Sequence, residues 1–284
     1  MTEPQLSVLV PAPGMPACAG VDLVAELEAL PAHPTAAMRV LFLAEDPNSS
    51  AADLGGVVGT DPSLTAKVMK VANSAYYGLS GRVASATFAV TVLGFDTVRA
   101  IAAAIAAGVT GDSGTLPDGF WSHAASCAVA CSLVSPRLSI RGPEGFSLGL
   151  LHDIGGALLH RSLGPLPVEA PPETAGAARI ALEQELWGID HASAAARVLA
   201  AWWFPQELTR ALATHHGPLD EATTPLGRAL MAAEALAACA DGDATADEVG
   251  EALSLANLDA GAVPALCERV RAETDGLASS LSSL

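Results

Sequence analysis

The alanine-rich segment Asp96–Ala107 constrains the fold more than any other part of the chain. It reads DTVRAIAAAIAA. Alanine is the best helix former and nearly every position here is apolar, so the segment predicts a helix that is buried rather than exposed. The sequence lacks the short runs of alternating apolar and polar residues, bounded by turns, that are typical of strands. It therefore predicts an all-α fold.

Helix start and stop signals support this fold class. Asp61 followed by Pro62 is an N-cap with proline at the first helical position, and apolar residues follow at helical spacing. Ser49 or Ser50 is positioned to cap the helix before it. Gly78 is positioned to end the segment after it.

The chain divides at a glycine-rich loop. The prediction is a flexible leader (1–20), an N-terminal helical subdomain (21–108), a linker loop (109–119), a second helical subdomain (120–240) and a C-terminal helical extension (241–284). Within the second half, helices are predicted at about 120–135, 143–159, 173–187, 190–203, 205–216 and 224–239. The segment 163–174 contains four prolines and is predicted to be an exposed connector.

Charge excludes one class of function. The chain has 31 acidic and 14 basic residues, a net charge of −17. The lysines number only two and the arginines are scattered, so no basic cluster would attract a phosphate backbone, and nucleic acid is not an expected partner. Residues 143–284 carry most of the acidic excess. That half favours a bound cation.

Targeting and cysteine patterns predict a reduced, cytoplasmic protein that does not bind a membrane. The first twenty residues contain no lysine or arginine, unlike a secretory signal. The most apolar stretch, Ile101–Val109, is much shorter than the roughly 20 residues that span a bilayer. Five cysteines occur without a CxxC motif, and Cys127 and Cys131, four residues apart, are interpreted as core residues.

Histidines and carboxylates at marked positions form the candidate site. Each can be assigned to a predicted helix or helix end: His123, His152, Asp153, His191, His215, His216 and Glu234. Several helices that each supply an inward-facing ligand predict a metal site. Imidazole and carboxylate donors suit iron, manganese, zinc or nickel better than calcium.

A purely structural role is the alternative for each of these residues. His215 and His216 are predicted at a helix C-terminus, where the helix dipole favours a protonated imidazole. His191 is predicted at a helix N-terminus, where a neutral, metal-competent imidazole is favoured. His152 and Asp153 lie among glycines in GLLHDIGGALL, and a glycine inside a helix costs about 1 kcal/mol relative to alanine. That cost indicates that another helix or an ion approaches closely.

The arrangement of these residues resembles the HD superfamily of metal-dependent phosphohydrolases. The upstream segments DPSLTAKVMKVANSAYYG and ATFAVTVLGFDTVRAIA resemble, more specifically, the HDOD domain, the HD-related output domain of bacterial signalling proteins. The resemblance runs from about Leu30 to Ala240. It implies an all-helical fold in which an N-terminal helical subdomain packs on an HD-like bundle.

The resemblance also implies a function. HDOD proteins are regarded as regulatory, mostly without demonstrated catalysis, with other signalling proteins as partners. Metal-ligand roles would carry over to His123, His152 and Asp153, and less directly to the remaining histidines. The last ligand of the superfamily is usually aspartate, where this chain has Glu234. The segment GPLDEATTPLG after His216 does not resemble the GYP motif of cyclic-di-GMP phosphodiesterases.

Two functions follow from these observations. The first is a non-enzymatic signalling module, with no catalytic residue, that contacts other proteins and has a vestigial or regulatory metal site. The second is a working metal-dependent phosphohydrolase or phosphodiesterase. Phosphate chemistry needs positive charge at the phosphoryl oxygens, and none of the five arginines between His152 and Glu234 is next to one of the candidate site histidines in the sequence. This favours the first function.

The motif NSAYYG has two interpretations as well. Asn73 and Ser74 are expected to end a helix and satisfy its backbone, while Tyr76 and Tyr77 are expected to close over the junction of the subdomains. Contact with a ligand or partner is the alternative.

Overall fold

The chain is helical throughout the part that the structure describes. This computed structural model describes residues 19–28, 35–109, 116–166, 175–217 and 223–282. No strand occurs within these ranges, which confirms the predicted all-α class. The helices are α1 (Ala19–Glu28), α2 (Ala36–Glu45), α3 (Ala51–Val58), α4 (Pro62–Ala72), α5 (Ala86–Ala106), α6 (Phe120–Val134), α7 (Gly142–Leu151), α8 (Ile154–Leu163), α9 (Ala175–Trp187), α10 (His191–Ala201), α11 (Gln206–Ala213), α12 (Pro225–Asp241), α13 (Ala246–Ser254) and α14 (Val263–Leu281).

Side-chain caps start the N-terminal helices where the sequence predicts them. The Asp61 carboxylate accepts hydrogen bonds from the backbone N–H groups of Ser63 and Leu64 at the start of α4. Ser50, rather than Ser49, caps α3, and it forms a capping box with Asp53. Each cap satisfies N–H groups that have no partner within the helix.

Helix α5 is the buried helix predicted from the alanine-rich segment, but it is longer. It begins at Ala86 and contains a break at Gly94, whose φ of 77° is accessible to glycine. Helices α2, α3 and α4 pack on it. By length and composition α5 could cross a membrane. However, 61% of its most apolar 18-residue stretch is buried inside the fold, as in the core helix of a globular protein.

Helix α6 is the centre of the second half. It packs against α7, α12 and α14, and its residues Ala124–Cys131 are all buried. A Cβ atom on Gly149 of α7 would lie 2.4 Å from the carbonyl oxygen of Cys127. Glycine at this position therefore lets the two helix backbones approach closely.

The predicted helix over 143–159 is wrong in one respect, because it is two helices. Helix α7 ends at Leu151 and α8 begins at Ile154, so His152 and Asp153 form the junction. The backbone of Asp153 has φ −102° and ψ 12°, outside the helical region. This turn lets adjacent side chains face one site, which two neighbours on a continuous helix do with difficulty.

Other boundaries differ from the predictions by a few residues. Helix α11 ends at Ala213, so His215 and His216 lie in the turn that follows it. Most of the predicted leader, linker loop and proline-rich connector lies outside the described residues, and the division into subdomains stays a prediction.

Candidate metal centre

The structure brings the seven predicted site residues into one cluster between the helices of the second half. Helix α6 supplies His123, the α7–α8 junction supplies His152 and Asp153, α10 begins with His191, the turn after α11 supplies His215 and His216, and α12 supplies Glu234. Two subsets could each hold a metal ion, with ligand atoms within 4.8 Å of one another. They are His123, Cys127 and His152, and His191, His215 and His216. We call the seven predicted residues the histidine cluster.

His152 is buried and its tautomer follows from its neighbours. Its Nδ1 lies 2.7 Å from the carbonyl oxygen of Gly149, which can only accept, so Nδ1 carries the proton. The lone pair on Nε2 then faces His123 Nε2 at 3.2 Å and Glu234 Oε1 at 3.8 Å. Burial, reinforced by the neighbouring histidines, lowers the pKa of His152 to about 3. The imidazole is therefore neutral, the form that binds a metal.

His191 is held by a carboxylate that the sequence analysis did not select. The buried side chain of Glu183 on α9 accepts hydrogen bonds from the backbone N–H of His191 at 2.7 Å and from its Nδ1 at 2.6 Å. The other ring nitrogen of His191, Nε2, faces Asp153 Oδ1, 3.4 Å away. Gly155 makes this contact between α8 and α10 possible, because a Cβ there would lie 2.0 Å from the His191 carbonyl oxygen.

His215 and His216 complete this side of the cluster. His215 Nδ1 lies 2.5 Å from the carbonyl oxygen of Leu212, which leaves the Nε2 lone pair 3.7 Å from Glu234 Oε1. The two rings lie 4.0 Å apart between centroids. Burial lowers the pKa of His215 to about 4 and that of His216 to about 2, so both are neutral near pH 7.

The two carboxylates of the cluster have opposite electrostatic surroundings. Burial acts to raise the pKa of Asp153, but the guanidinium of Arg179 and the neighbouring histidines outweigh it, and the pKa is well below its usual value. Glu234 is raised well above its usual pKa, first by burial and then by the charge of Asp153. Asp153 is therefore the ionised carboxylate of the cluster, while Glu234 favours its neutral form.

Several buried acceptors converge without a donor between them. Asp153 Oδ1, His191 Nε2 and His215 Nε2 are each buried and have no hydrogen-bond partner. With Nδ1 donating to Glu183, the neutral form of His191 would present its Nε2 lone pair to Asp153 Oδ1 across 3.4 Å. Two such acceptors repel unless a proton or a metal cation lies between them. These nitrogen and oxygen donors fit a divalent transition metal.

Hydrogen bonds behind these donors also fit a metal. In metal sites the second ring nitrogen of a histidine ligand usually donates to a carbonyl or carboxylate, which fixes the tautomer and ring orientation. Gly149, Glu183 and Leu212 accept such bonds from three of the histidines. The cluster thus has the second layer of contacts that orients ligands.

Arg179 corrects the expectation that no positive residue lies near the histidines. Its Nη1 lies 3.3 Å from Asp153 Oδ2, and its Nε donates to Glu183 Oε1 at 2.8 Å. The residue is distant from every histidine in the sequence. The packing of α9 against α10 and of α10 against α8 brings it to the cluster.

A cavity of about 270 Å³ opens onto one side of the cluster. His123, Asp153, Gly156, Arg179 and Glu183 line its polar end, and Phe120 and Trp187 are among its apolar walls. Arg179 is partly exposed here, so the guanidinium and the Asp153 carboxylate that it contacts both border the cavity.

The NSAYYG motif lies outside this cluster. Asn73 accepts a hydrogen bond from the Val83 N–H and donates to the Val83 carbonyl, which closes the loop after α4. The Tyr76 hydroxyl donates to Ser132 Oγ of α6 at 3.1 Å, and its ring packs against Phe146 of α7. These contacts agree with the structural interpretation of the motif.

The comparisons with known proteins decide the family. The HDOD domain model matches residues 30–218, two thirds of the chain. The chain belongs to the HDOD family. This confirms the resemblance seen in the sequence, and the matched range contains every residue of the HDOD histidine cluster except Glu234.

Solved structures agree with this assignment. A candidate phosphohydrolase from Shewanella amazonensis is 26% identical, with a TM-score of 0.71, over 93% of this chain and 98% of that one. A candidate signal transduction protein from Marinobacter aquaeolei is 25% identical, with a TM-score of 0.66, over 93% of this chain and 66% of that one. An HDOD domain protein of unknown function from Geobacter sulfurreducens, 20% identical over 91% of this chain and 97% of that one, shares the fold with a TM-score of 0.62. A comparison with curated proteins finds no match.

Proposed function

We propose that the protein is a non-enzymatic regulatory module of bacterial signal transduction that acts through contacts with other signalling proteins and binds a divalent transition metal in its histidine cluster. The observation that carries the proposal is that Asp153 Oδ1, His191 Nε2 and His215 Nε2 are all buried without a hydrogen-bond partner, and the first two lie 3.4 Å apart. The arginine beside them is already paired with carboxylates.

The donors named above would hold the metal. His152, His191 and His215 would bind through Nε2 and Asp153 through Oδ1, with Glu234 as a further carboxylate. Iron, manganese, zinc and nickel all accept such donors. When bound, the metal would supply positive charge to the facing acceptors and connect the helices that carry them.

The charge balance favours regulation over phosphate hydrolysis. A phosphoryl group needs positive charge from metal, arginine or lysine. The ionised carboxylate of Asp153 lies in the cluster and that of Glu183 lies beside it, and both engage Arg179. The four described cysteines that are free thiols fit a reducing compartment, so we include a cytoplasmic location in the proposal.

A metal-dependent phosphohydrolase remains the second candidate. A specific observation favours it, namely the cavity beside the cluster with Arg179 at its polar end. The relative from Shewanella amazonensis described as a candidate phosphohydrolase points the same way.

Metal content is the first test. We expect protein equilibrated with excess transition metal to bind it in near-stoichiometric amount by elemental analysis, and the double variant His152→Ala/Asp153→Ala to bind none. The surface variant Arg269→Gln, a single charge change on α14, should retain it. Wild-type protein that binds no iron, manganese, zinc or nickel would contradict the metal site and leave the histidines a structural role.

Hydrolysis separates the two functions. Protein loaded with Mn²⁺ should turn over neither p-nitrophenyl phosphate, nor nucleoside monophosphates, nor cyclic dinucleotides faster than the double variant does. Turnover that the double variant lacks would replace the regulatory proposal with the phosphohydrolase.

Hydrogen exchange tests regulation directly. Metal ligands from the α7–α8 junction, α10, the turn after α11 and α12 would couple these elements, so Mn²⁺ should slow amide exchange at positions beyond the cluster itself. Slowing confined to the residues that bind the ion would contradict a regulatory role of the metal.

A further inference from the structure

The side chain of Arg179 is held in a defined position by its neighbours. A Cβ atom on Gly156 would lie 2.5 Å from Arg179 Nη2, so glycine at this position leaves room for the guanidinium. On its other side the arginine donates to Glu183 Oε1. The second oxygen of Glu183 is held by the backbone N–H and the Nδ1 of His191. The arginine is therefore anchored by a carboxylate that cannot turn away without releasing His191.

The two carboxylate oxygens of Asp153 face different side chains. Its Oδ2 meets Arg179 Nη1 at 3.3 Å, while its buried Oδ1 faces His191 Nε2 at 3.4 Å. A cation bound at Oδ1 and the guanidinium at Oδ2 would share one negative charge. Because like charges at such short range repel strongly in a partly buried site, the bound cation and the Arg179 guanidinium compete for the Asp153 carboxylate.

We propose that Arg179 is the built-in counter-ion of Asp153, which balances the buried carboxylate when no ion is bound and weakens the hold of the histidine cluster on a divalent cation. The fraction of the protein that has metal bound then varies with the free metal concentration, as a regulatory site requires. This inference rests on the proposed metal-binding function and identifies the residue that regulates the same site.

The opposite role makes the opposite prediction. Groups that support metal ligands from behind, by fixing their orientation, usually strengthen binding, and their loss weakens it 10–100-fold. A counter-ion that competes with the metal has the reverse effect. The sign of the change in metal affinity therefore separates the two roles.

The test is calorimetric titration of chelator-treated protein with Mn²⁺. Arg179→Gln should bind Mn²⁺ about tenfold more tightly than wild type, a free-energy change of about 1.4 kcal/mol. Arg179→Lys retains a positive charge and should lie near wild type. Gly156→Ala keeps the arginine but displaces it, so the affinity should rise by a smaller factor.

A matched control and a second readout complete the experiment. Arg269→Gln removes an arginine from an exposed pair of the same spacing and should leave Mn²⁺ affinity unchanged. Without metal, Arg179→Gln should melt below wild type because Asp153 loses its partner, and saturating Mn²⁺ should close that gap.

Each outcome decides between the proposals. Unchanged or weaker Mn²⁺ binding by Arg179→Gln, while wild type binds, overturns the counter-ion and leaves the metal site intact. If neither wild type nor Arg179→Gln binds Mn²⁺, both the metal site and the counter-ion role of Arg179 are overturned. Binding by Arg179→Gln alone supports the counter-ion and shows that the wild-type site is closed by its own arginine.

Discussion

Two arginine–glutamate pairs of identical spacing show how much the surroundings of an ion pair matter. Arg179 and Glu183 on α9, and Arg269 and Glu273 on α14, are each four residues apart, with Nε–Oε1 distances of 2.8 and 2.7 Å. The Glu183 side chain is 1% exposed and Glu273 is 28% exposed. The inner pair also holds Asp153 and His191, whereas the hydrogen bond of the outer pair joins Arg269 to Glu273 near the surface.

The energetic consequences of the two pairs should differ about tenfold. Exposed pairs at this spacing on a helix stabilise a protein by about 0.3–0.5 kcal/mol, because water already solvates both charges. Removal of one partner of a buried pair leaves an uncompensated charge and costs about 3–5 kcal/mol. The same sequence pattern can therefore contribute little to the stability of the protein when it is exposed, or be required for the fold when it is buried.

The largest effect should come from Glu183→Ala. Its loss leaves the guanidinium of Arg179 and the Nδ1–H of His191 without their acceptor. We expect the free energy of unfolding, measured by urea denaturation with chelator present, to fall by about 3–5 kcal/mol. Glu273→Ala is the matched control, with an expected loss of about 0.3–0.5 kcal/mol. Equal losses for the two variants would show that burial does not distinguish the pairs.

Gly155→Ala should have the next largest effect, because it disturbs the packing of α8 against α10, which positions the inner pair. The new methyl group would lie 2.0 Å from the backbone carbonyl of His191, so α8 and α10 must move apart. We expect a loss of about 1–3 kcal/mol in the same denaturation experiment. Gly56→Ala is the control, since a Cβ there meets nothing within 4 Å, and it should be neutral or stabilise α3 by about 0.5–1 kcal/mol. A Gly155 variant as stable as wild type would contradict the close approach of the two helices.

Salt should produce the smallest and most selective effect. In a double-mutant cycle the coupling between Arg269 and Glu273 should fall from about 0.3–0.5 kcal/mol to near zero at 1 M salt, where the screening length is about 3 Å. The coupling between Arg179 and Glu183 should persist, since the buried carboxylate is screened much less. A salt-sensitive inner pair would mean that water reaches it freely.

Local sequence signals predicted most of the elements. Asp61 with Pro62 marks the start of α4, and the apolar run after Asp96 marks a core helix. The break at His152 and Asp153 was not predicted, because glycines on both sides of the pair fit a helix with close neighbours as well as two helices. Gly94 was missed for a similar reason, since a positive φ leaves no pattern in the residues around it.

The partners of the histidine cluster were harder to predict than the cluster. Arg179 and Glu183 have the spacing of an ordinary surface pair, so a search for charge next to histidines in the sequence excluded them. One signal was present in the sequence: Leu186 and Trp187 follow Glu183 at three and four residues, which places it on the apolar stripe of α9. Both are nearly buried, at 6% and 4% exposure, and a carboxylate on such a stripe needs a partner.

Composition, helix caps and apolar periodicity were enough to derive the fold class, residue types at marked positions indicated the metal-competent side chains, and the resemblance of the upstream segments to the HDOD domain indicated the family. The contact of His191 with Glu183, the close approach of His191 to Asp153 and the engagement of Arg179 required the packing of α8, α9 and α10. These features depend on distances between residues 8 to 38 positions apart in the chain, and only contacts between helices set such distances.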